Sequence, residues 1–328
     1  MAENMQAIII SSFGGPEVLK TTTVPKPVPT IGEALIKVQA FGLNHAEMHM
    51  RKGEWDEWNP ITGLECVGIV EACPGNEIPV GTKGVGVMGG MGRNRPGGYG
   101  EYVTTPITNV VALDTHLPWD ELAAIPEVYC TAYSCLFTIL DLLAGESLLI
   151  RGATSTIGQA ALNLAVNAGA KVTTTTRREE RFAWLKDLGA VEAAREQRDL
   201  QTQLPDGQRF DKVLNLIGNS VLLESIRLTK TGGRMLQAGW LGGLAPVKDF
   251  NPMVEMESGV HFSLFHSKML GTREFPLSGI PLQDIVRKIE RGEWDAKPTK
   301  VFDVKDIQEA HKLLDSHDAK GKIVIKRV

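Results

Sequence analysis

The stretch Leu148-Leu-Ile-Arg-Gly-Ala-Thr-Ser-Thr-Ile-Gly-Gln-Ala-Ala161 decides the fold. An apolar run, Ser147 to Arg151, reads as a strand. Gly152 to Gly158 reads as a tight turn, and an apolar-periodic helix follows as far as Ala168-Gly169. Strand, glycine turn and helix in this order form the context that a dinucleotide-binding fingerprint requires. A helix start leaves backbone N–H groups unpaired and carries the positive end of the dipole, which suits a pyrophosphate. Gly152 and Gly158 fill the outer places of the pattern, whereas Ala153, Ser155 and Thr156 stand where further glycines are expected. The Ser155 and Thr156 hydroxyls offer donors to phosphate instead. An ordinary βα turn without nucleotide is the competing reading.

Downstream the alternation continues. Lys171-Val-Thr-Thr-Thr-Thr reads as a strand and 178–188 as a charged helix stopped by Gly189. Asp211 to Ile217 is a further strand, followed by a helix near 221–229 and the strand Arg234 to Ala238 after Gly232-Gly233. Strands alternating with helices imply a parallel sheet with crossover helices, a doubly wound α/β architecture. About 20 residues beyond the glycine turn, an acidic side chain would hold the ribose 2′-OH of NAD. The chain has Thr176-Arg177-Arg178 there, with Arg181 one turn on. A guanidinium at that place suits a 2′-phosphate, so NADPH is the expected cofactor. The alternative is a solvated basic patch paired with Glu179 and Glu180.

Upstream the pattern differs. Residues 1 to about 120 carry short apolar runs (Gln6 to Ile10, Glu33 to Val38, Gly68 to Ala72, Tyr102 to Thr104) punctuated by Pro25, Pro27, Pro29, Pro74, Pro79 and the Gly89-Gly90 and Gly97-Gly98 pairs. This reads as a small, mostly antiparallel β domain. After about Ser267 two helices (281–290 and 306–315) and a last strand, Lys322 to Lys326, close the chain.

A length of 328 residues suggests two domains. Hydrophobic residues at 43% and charged residues at 23% are those of an ordinary globular chain, and a net charge of −4 argues against a nucleic-acid or membrane surface. The first residues lack the basic and apolar regions of a secretory signal, and the longest uncharged apolar stretch, 128–140, is shorter than the ~20 residues of a spanning helix. Cys66, Cys73, Cys130 and Cys135 form no C-x-x-C pair and read as reduced thiols of a cytoplasmic protein. No P-loop and no nucleophile elbow are present.

Further segments carry a resemblance: Phe13-Gly-Gly-Pro-Glu-Val-Leu19, Gly42-Leu-Asn-His-Ala-Glu47, Gly63-Leu-Glu-Cys-Val-Gly-Ile-Val70 and Gly97-Gly-Tyr-Gly-Glu-Tyr102. Ala123-Ala-Ile-Pro126 with Thr131-Ala-Tyr133, Gly232-Gly-Arg-Met235, Ala310-His311 and Gly321-Lys-Ile-Val-Ile325 extend it over nearly the whole chain. Together they resemble the medium-chain dehydrogenase/reductase superfamily, in its zinc-independent quinone oxidoreductase (zeta-crystallin-like) branch. The resemblance implies a GroES-like substrate domain, 1–121 with 267–328, and an inserted Rossmann NADPH-binding domain, 122–266, with the active cleft between them. It also implies a homodimer and hydride transfer to a quinone or an α,β-unsaturated carbonyl.

Zinc-dependent relatives place a cysteine where this chain has Asn44 and a histidine where it has Leu64, and neither replacement is a zinc ligand. His45 and His49, at i and i+4, leave a metal-binding alternative. By the resemblance, Asn44, His49 and Arg51 are the catalytic candidates: Asn44 as an amide donor, Arg51 as a cation offsetting negative charge, His49 as proton donor or pocket wall. A surface His and Arg in solvent is the plainer reading. The same resemblance places Thr131 at the nicotinamide amide. Thr154, Ile157, Ile217, Gly218, Gly239 and Trp240 join the cofactor set, with Phe262 and Phe265 lining the acceptor side or serving the core. Trp55 and Trp58 would cap the cleft or close the β domain. A non-catalytic NADPH-binding protein of the same fold, or an alcohol dehydrogenase-like enzyme with an altered metal site, are the alternative functions. His116, His261, His266, His311 and His317 are scattered and carry no assigned chemistry.

Overall fold

Strand β1 (Asn4–Ile10) runs antiparallel to β2 (Leu19–Pro25), in register from Asn4 opposite Pro25 to Ile10 opposite Leu19. In the computed structural model, residues 3–316 and 318–327 are described; Met1, Ala2, His317 and Val328 lie outside the described residues. The chain forms two compact units, residues 1–130 with 267–328 and residues 131–266.

The first unit is organised on β3 (Glu33–Gly42), whose Ala34, Leu35, Ile36, Val38, Ala40 and Phe41 are buried, filling both faces. Helix α1 (His45–Lys52) follows directly, and β4 (Glu65–Ala72) returns antiparallel along one edge of β3. Next come β5 (Lys83–Val87), β6 (Tyr102–Pro106) and β7 (Val110–Ala112), then α2 (Trp119–Leu122) and α3 (Pro126–Tyr133). The division between units falls at Cys130/Thr131, inside α3, nine residues beyond the sequence-based boundary at 121/122. The helical run Trp119–Ile139, 21 residues, is long and apolar enough to cross a membrane by composition, but 78% of its most apolar window is buried within the protein. That is the pattern of a core helix. The uncharged stretch 128–140 understated it because Asp120, Glu121 and Glu127 lie on its first turns.

The second unit alternates strand and helix: β8 (Ser147–Arg151), α4 (Thr156–Asn167), β9 (Lys171–Thr176), α5 (Phe182–Asp187), β10 (Glu192–Arg195), β11 (Phe210–Asn215), α6 (Leu222–Arg227), β12 (Thr229–Gln237), α7 (Pro252–Glu255) and β13 (His261–Leu264). All six strands are parallel, in the order β10-β9-β8-β11-β12-β13. In order of appearance this is 3-2-1-4-5-6, the doubly wound order, and its reversal between β8 and β11 is where such sheets open a crevice for a nucleotide. The charged stretch 178–188 gives less helix than its composition suggests. A 3-10 turn at Glu179–Arg181 precedes the six residues of α5, whose Leu185 is its buried side chain, so little apolar surface anchors a longer helix.

The chain then re-enters the first unit through α8 (Leu282–Glu290), β14 (Lys300–Asp303), α9 (Ile307–Asp315) and β15 (Ile323–Lys326). In α8, Leu282, Ile285, Val286 and Ile289 recur at helical spacing and are all buried, while the charged residues face away. β15 pairs with β3 from Val324 opposite Gly42 to Lys326 opposite Ala40, beside β6 on the same edge. β14 lies parallel to β15, and the other pairs of this seven-stranded sheet are antiparallel. The four cysteines are free and buried.

Candidate functional site

In the second unit the carboxyl ends of the strands gather most of the residues expected to bind cofactor. Gly152 leaves β8 at φ +85°, a left-handed conformation that glycine adopts without strain. Its N–H donates to Thr175 Oγ1 at 3.1 Å, and Ala153 N–H donates to Thr175 O at 3.0 Å, tying the turn to β9. Gly158 is required for another reason: a Cβ there would lie 2.6 Å from Gly152 O and 2.7 Å from Ala153 Cα. Helix α4 therefore approaches the turn as closely as a bare backbone allows.

Ser155 is the N-cap of α4. Its Oγ accepts from Gly158 N–H at 3.1 Å and donates to Gly152 O at 2.8 Å. This corrects the expectation that the Ser155 hydroxyl donates to phosphate, since its proton is spent on the turn. Thr156 and Ile157 begin the helix, and their amides have no carbonyl one turn earlier within it. Thr154 Oγ1 lies 3.3 Å from Thr176 Oγ1, linking the turn to the end of β9.

Directly after Thr176, Arg177 is exposed and forms no ion pair among the described residues. Arg181 lies over the Trp184 ring, 5.3 Å from its centroid. Glu179, a candidate partner for the basic run, pairs instead with Arg195 at 3.2 Å. At the end of β11, Asn215 Oδ1 accepts from both Ile217 N–H and Gly218 N–H at 2.9 Å, and its Nδ2 donates to Gly218 O at 3.0 Å. The buried amide of Asn215 thus shapes the turn that presents Ile217 and Gly218. Gly239 and Trp240 follow β12, and Trp240 stacks on His266 with centroids 5.0 Å apart.

Phe262 and Phe265 do not join this set. Phe262 sits within the edge strand β13, opposite Met235 rather than beyond the strand ends, and is 38% exposed. Phe265 is 2% exposed and belongs to the core, the plainer of its two readings. Thr131, on α3, is buried at 2%.

Sequence reasoning passed over the support beneath the turn. Arg151 is wholly buried, its Nη2 2.6 Å from Glu196 Oε1 and its Nη1 2.8 Å from Glu224 Oε2. Glu196 in turn accepts from the Thr175 hydroxyl that receives Gly152 N–H. Arg151 lay in the quoted motif, but its partners stand 45 and 73 residues on, and no local pattern announces them.

In the first unit, Asn44, His49 and Arg51 all belong to α1 or its cap, yet they serve different surroundings. Asn44 is the N-cap, with Glu47 reaching back to its N–H at 2.9 Å. Its Oδ1 accepts from Lys322 Nζ at 2.6 Å, and its Nδ2 donates to Glu65 Oε1 at 3.1 Å and Glu47 Oε1 at 3.3 Å. Both amide protons are committed, which corrects the expectation of a donor aimed at substrate. Lys322 Nζ also pairs with Glu65 Oε1 at 2.7 Å, with both side chains buried. Burial pushes the Glu47 carboxyl up to about 7 against the opposing pull of Lys322. Burial draws Lys322 down, but the carboxylates of Glu65, Glu127 and Glu47 together carry it above the usual lysine range.

Arg51 is likewise corrected. Its guanidinium is fully buried and donates to Gly14 O and to both oxygens of Asp315, so it braces α1 against α9 and the loop at Gly14. His49 remains. Its Nδ1 lies 2.5 Å from Glu54 Oε2, its ring stacks on Trp55 at 5.4 Å, and Nε2 has no partner among the described residues.

Among known proteins, the zinc-binding dehydrogenase family matches residues 156–276 and the alcohol dehydrogenase GroES-like domain family matches residues 30–115. A quinone oxidoreductase from Lama guanicoe is 30% identical over 335 residues, covering 98% of this chain and 97% of its own. An NAD-dependent alcohol dehydrogenase structure superposes with a TM-score of 0.80 at 27% identity, covering 98% of this chain and 99% of that one. A mycobacterial protein solved in complex with NADPH gives a TM-score of 0.82 at 23% identity, covering 98% and 99%.

Proposed function

The chain belongs to the medium-chain dehydrogenase/reductase superfamily, in its quinone oxidoreductase branch, and from that membership we propose an NADPH-dependent oxidoreductase that reduces a quinone or an α,β-unsaturated carbonyl without zinc. The observation that carries the cofactor choice is the end of β9. No carboxylate stands at the ribose position; Thr176 does, followed by an exposed Arg177 with no ion pair among the described residues. A ribose 2′-phosphate brings the dianion that such a guanidinium binds in a fork.

The turn fits a dinucleotide: Gly158 lets α4 start directly against the turn, and the Thr156 and Ile157 amides at that start have no carbonyl partner within the helix. When bound, NADPH supplies the hydride. The chain's own residues hold the pyrophosphate at Gly152 to Ile157, grip the 2′-phosphate with Arg177 and Arg181, and wall the crevice with Ile217, Gly218, Gly239 and Trp240.

Zinc independence rests on charge as well as on ligand type. Asn44 faces the Lys322 ammonium at 2.6 Å and Leu64 is apolar, so a divalent cation there would meet a buried positive charge. His49 is the proton donor in this reading. Glu54 fixes its Nδ1, and the protonated ring offers Nε2 to the reduced acceptor. The unit's edge strand β13, with Phe262 and Leu264 exposed, supports a homodimer, and a light-scattering mass near that of a monomer would count against it. Four buried reduced cysteines accord with a cytoplasmic location.

The test is a fluorescence titration with NADPH and NADH, then NADPH oxidation with a quinone and an enone in the presence of chelator. Tight NADPH binding that Arg177→Ala weakens by about tenfold or more, with NADH binding unchanged, is the expected result. Equal affinity for both cofactors, or turnover abolished by chelator, overturns the reading.

A further inference from the structure

The first unit contains a concavity of which only Trp58 figures in the sequence-based reading of the site, as a cap of the cleft or a closure of the β domain. Its volume is about 440 Å³, and its lining includes Glu57, Trp58, Met88, Met91, Arg93 and Lys268. This falls within the size range of small-ligand pockets.

The two cations differ in standing. Arg93 keeps only 12% of its side chain exposed, and its Nε is buried with no hydrogen-bond partner among the described residues. Its guanidinium lies over the Trp55 ring, 5.2 Å from the centroid. Burial holds this guanidinium below the usual arginine range. Lys268 is more exposed, at 42%. One carboxylate spans both: Glu57 Oε2 lies 3.4 Å from Arg93 Nη1, and Glu57 Oε1 lies 2.9 Å from Lys268 Nζ. Glu57 is itself 55% exposed, and ion pairs at such exposure contribute little.

The backbone is unusual at the same place. Met88, 1% exposed, holds φ +57°, a left-handed conformation that a long side chain adopts only when its surroundings enforce it. Met88 and Met91 are 1% and 0% exposed, so the half-buried Trp58 supplies the accessible apolar surface of the cavity. Its indole is suited to a flat conjugated surface.

We propose that this cavity is a binding site for a small aromatic or conjugated monocarboxylate, whose carboxylate takes the place between Arg93 and Lys268 that Glu57 fills in its absence, and whose apolar body lies against Trp58. The carboxylate of Glu57 shows that the gap between the two cations accepts this group. Arg93 supplies Nη1, which already meets a carboxylate there, and Lys268 adds a more exposed second charge. The inference does not depend on the cofactor or on turnover.

Isothermal titration calorimetry of the full chain with 1-naphthoate tests it, with 1-naphthalenemethanol as the neutral counterpart. The acid should bind at least about tenfold more tightly than the alcohol, since a charge-assisted contact is lost in the latter. Arg93→Met should weaken 1-naphthoate by about tenfold or more, and Lys268→Met by a smaller factor. Glu57→Gln should strengthen 1-naphthoate and leave the alcohol unchanged, because it removes the internal competitor. Lys268 and Glu57 are exposed enough that these two variants remain informative if Arg93→Met does not fold. No heat with 1-naphthoate at millimolar concentration, equal affinity for acid and alcohol, or Glu57→Gln weakening the acid would each overturn the proposal.

Discussion

Arg51 Nη2 lies 2.7 and 2.6 Å from the two carboxylate oxygens of Asp315, joining residues 264 positions apart across the first unit. Arg51 is wholly buried and Asp315 keeps 24% of its side chain in water. Removing one partner strands a buried charge. Asp315→Asn should therefore cost on the order of 3 kcal/mol, less than a fully buried pair because water reaches the carboxylate. Denaturant unfolding measures this. NADPH affinity, and kcat/KM below the lowered Tm, should stay within about threefold of wild type. A hundredfold loss of activity with stability intact would return Arg51 to the reacting centre.

Gly158→Ala puts a methyl 2.6 Å from Gly152 O, against backbone that cannot yield as a flexible side chain would. Overpacking at such a contact costs about 1–3 kcal/mol, and the displaced turn should lose most cofactor affinity. Thermal melts with and without NADPH read both effects. An unshifted Tm together with wild-type NADPH affinity would mean that α4 does not approach the turn this closely.

For His49 the expected change is in rate. His49→Phe keeps a ring against Trp55 and removes the proton, so kcat should fall by about 10²-fold or more while NADPH binding is preserved. The useful control is Glu54→Gln, which leaves the imidazole but not its carboxylate and should lower kcat while NADPH affinity is preserved. An unchanged kcat in His49→Phe removes it as the donor.

His311 gives a stability prediction with a definite sign. Burial, reinforced by the Arg51 charge, pushes its imidazole down from the usual 6.5 to about 3. Tyr99 Oη lies 2.8 Å from its Nε2. The folded protein refuses a proton that the unfolded chain accepts. This group's contribution is therefore fully present above pH 6.5 and is lost as pH falls through that value toward 3. Unfolding free energy measured from pH 7.5 to 4 should decline more steeply in wild type than in His311→Gln. Parallel profiles would show that His311 is not held neutral.

These commitments also show where the sequence was legible. The glycine turn, the strand-helix alternation and the basic residues after β9 depend on neighbours within about 30 residues, and periodicity and spacing report such relationships directly. Asn44 and Arg51 were read as available because their partners are far away in sequence: Glu65 and Lys322 for the first, Asp315 for the second. Ser155 is a different case. A serine ahead of a helix is a cap signal, and its hydroxyl went to Gly152 and Gly158 rather than to a ligand. The pair His49 and Glu54, five residues apart, was within reach of sequence reasoning, as was the Asn44-x-x-Glu47 box. Phe262 carried no local sign of an edge position, because strand order is a property of the whole sheet.

The pairing of β15 with β3 has a consequence for synthesis on the ribosome. Gly42 waits for Val324, a partner made 282 residues later, and every strand of the parallel sheet is translated in the interval. Closing so long a loop from a disordered chain is slow and leaves a β-edge open to strangers. If the intervening unit has already condensed, its two ends are held by structure rather than by diffusion, and the loop to be closed shortens to the segments on either side. A lesion in the core of that unit should delay completion of a sheet to which it contributes no strand.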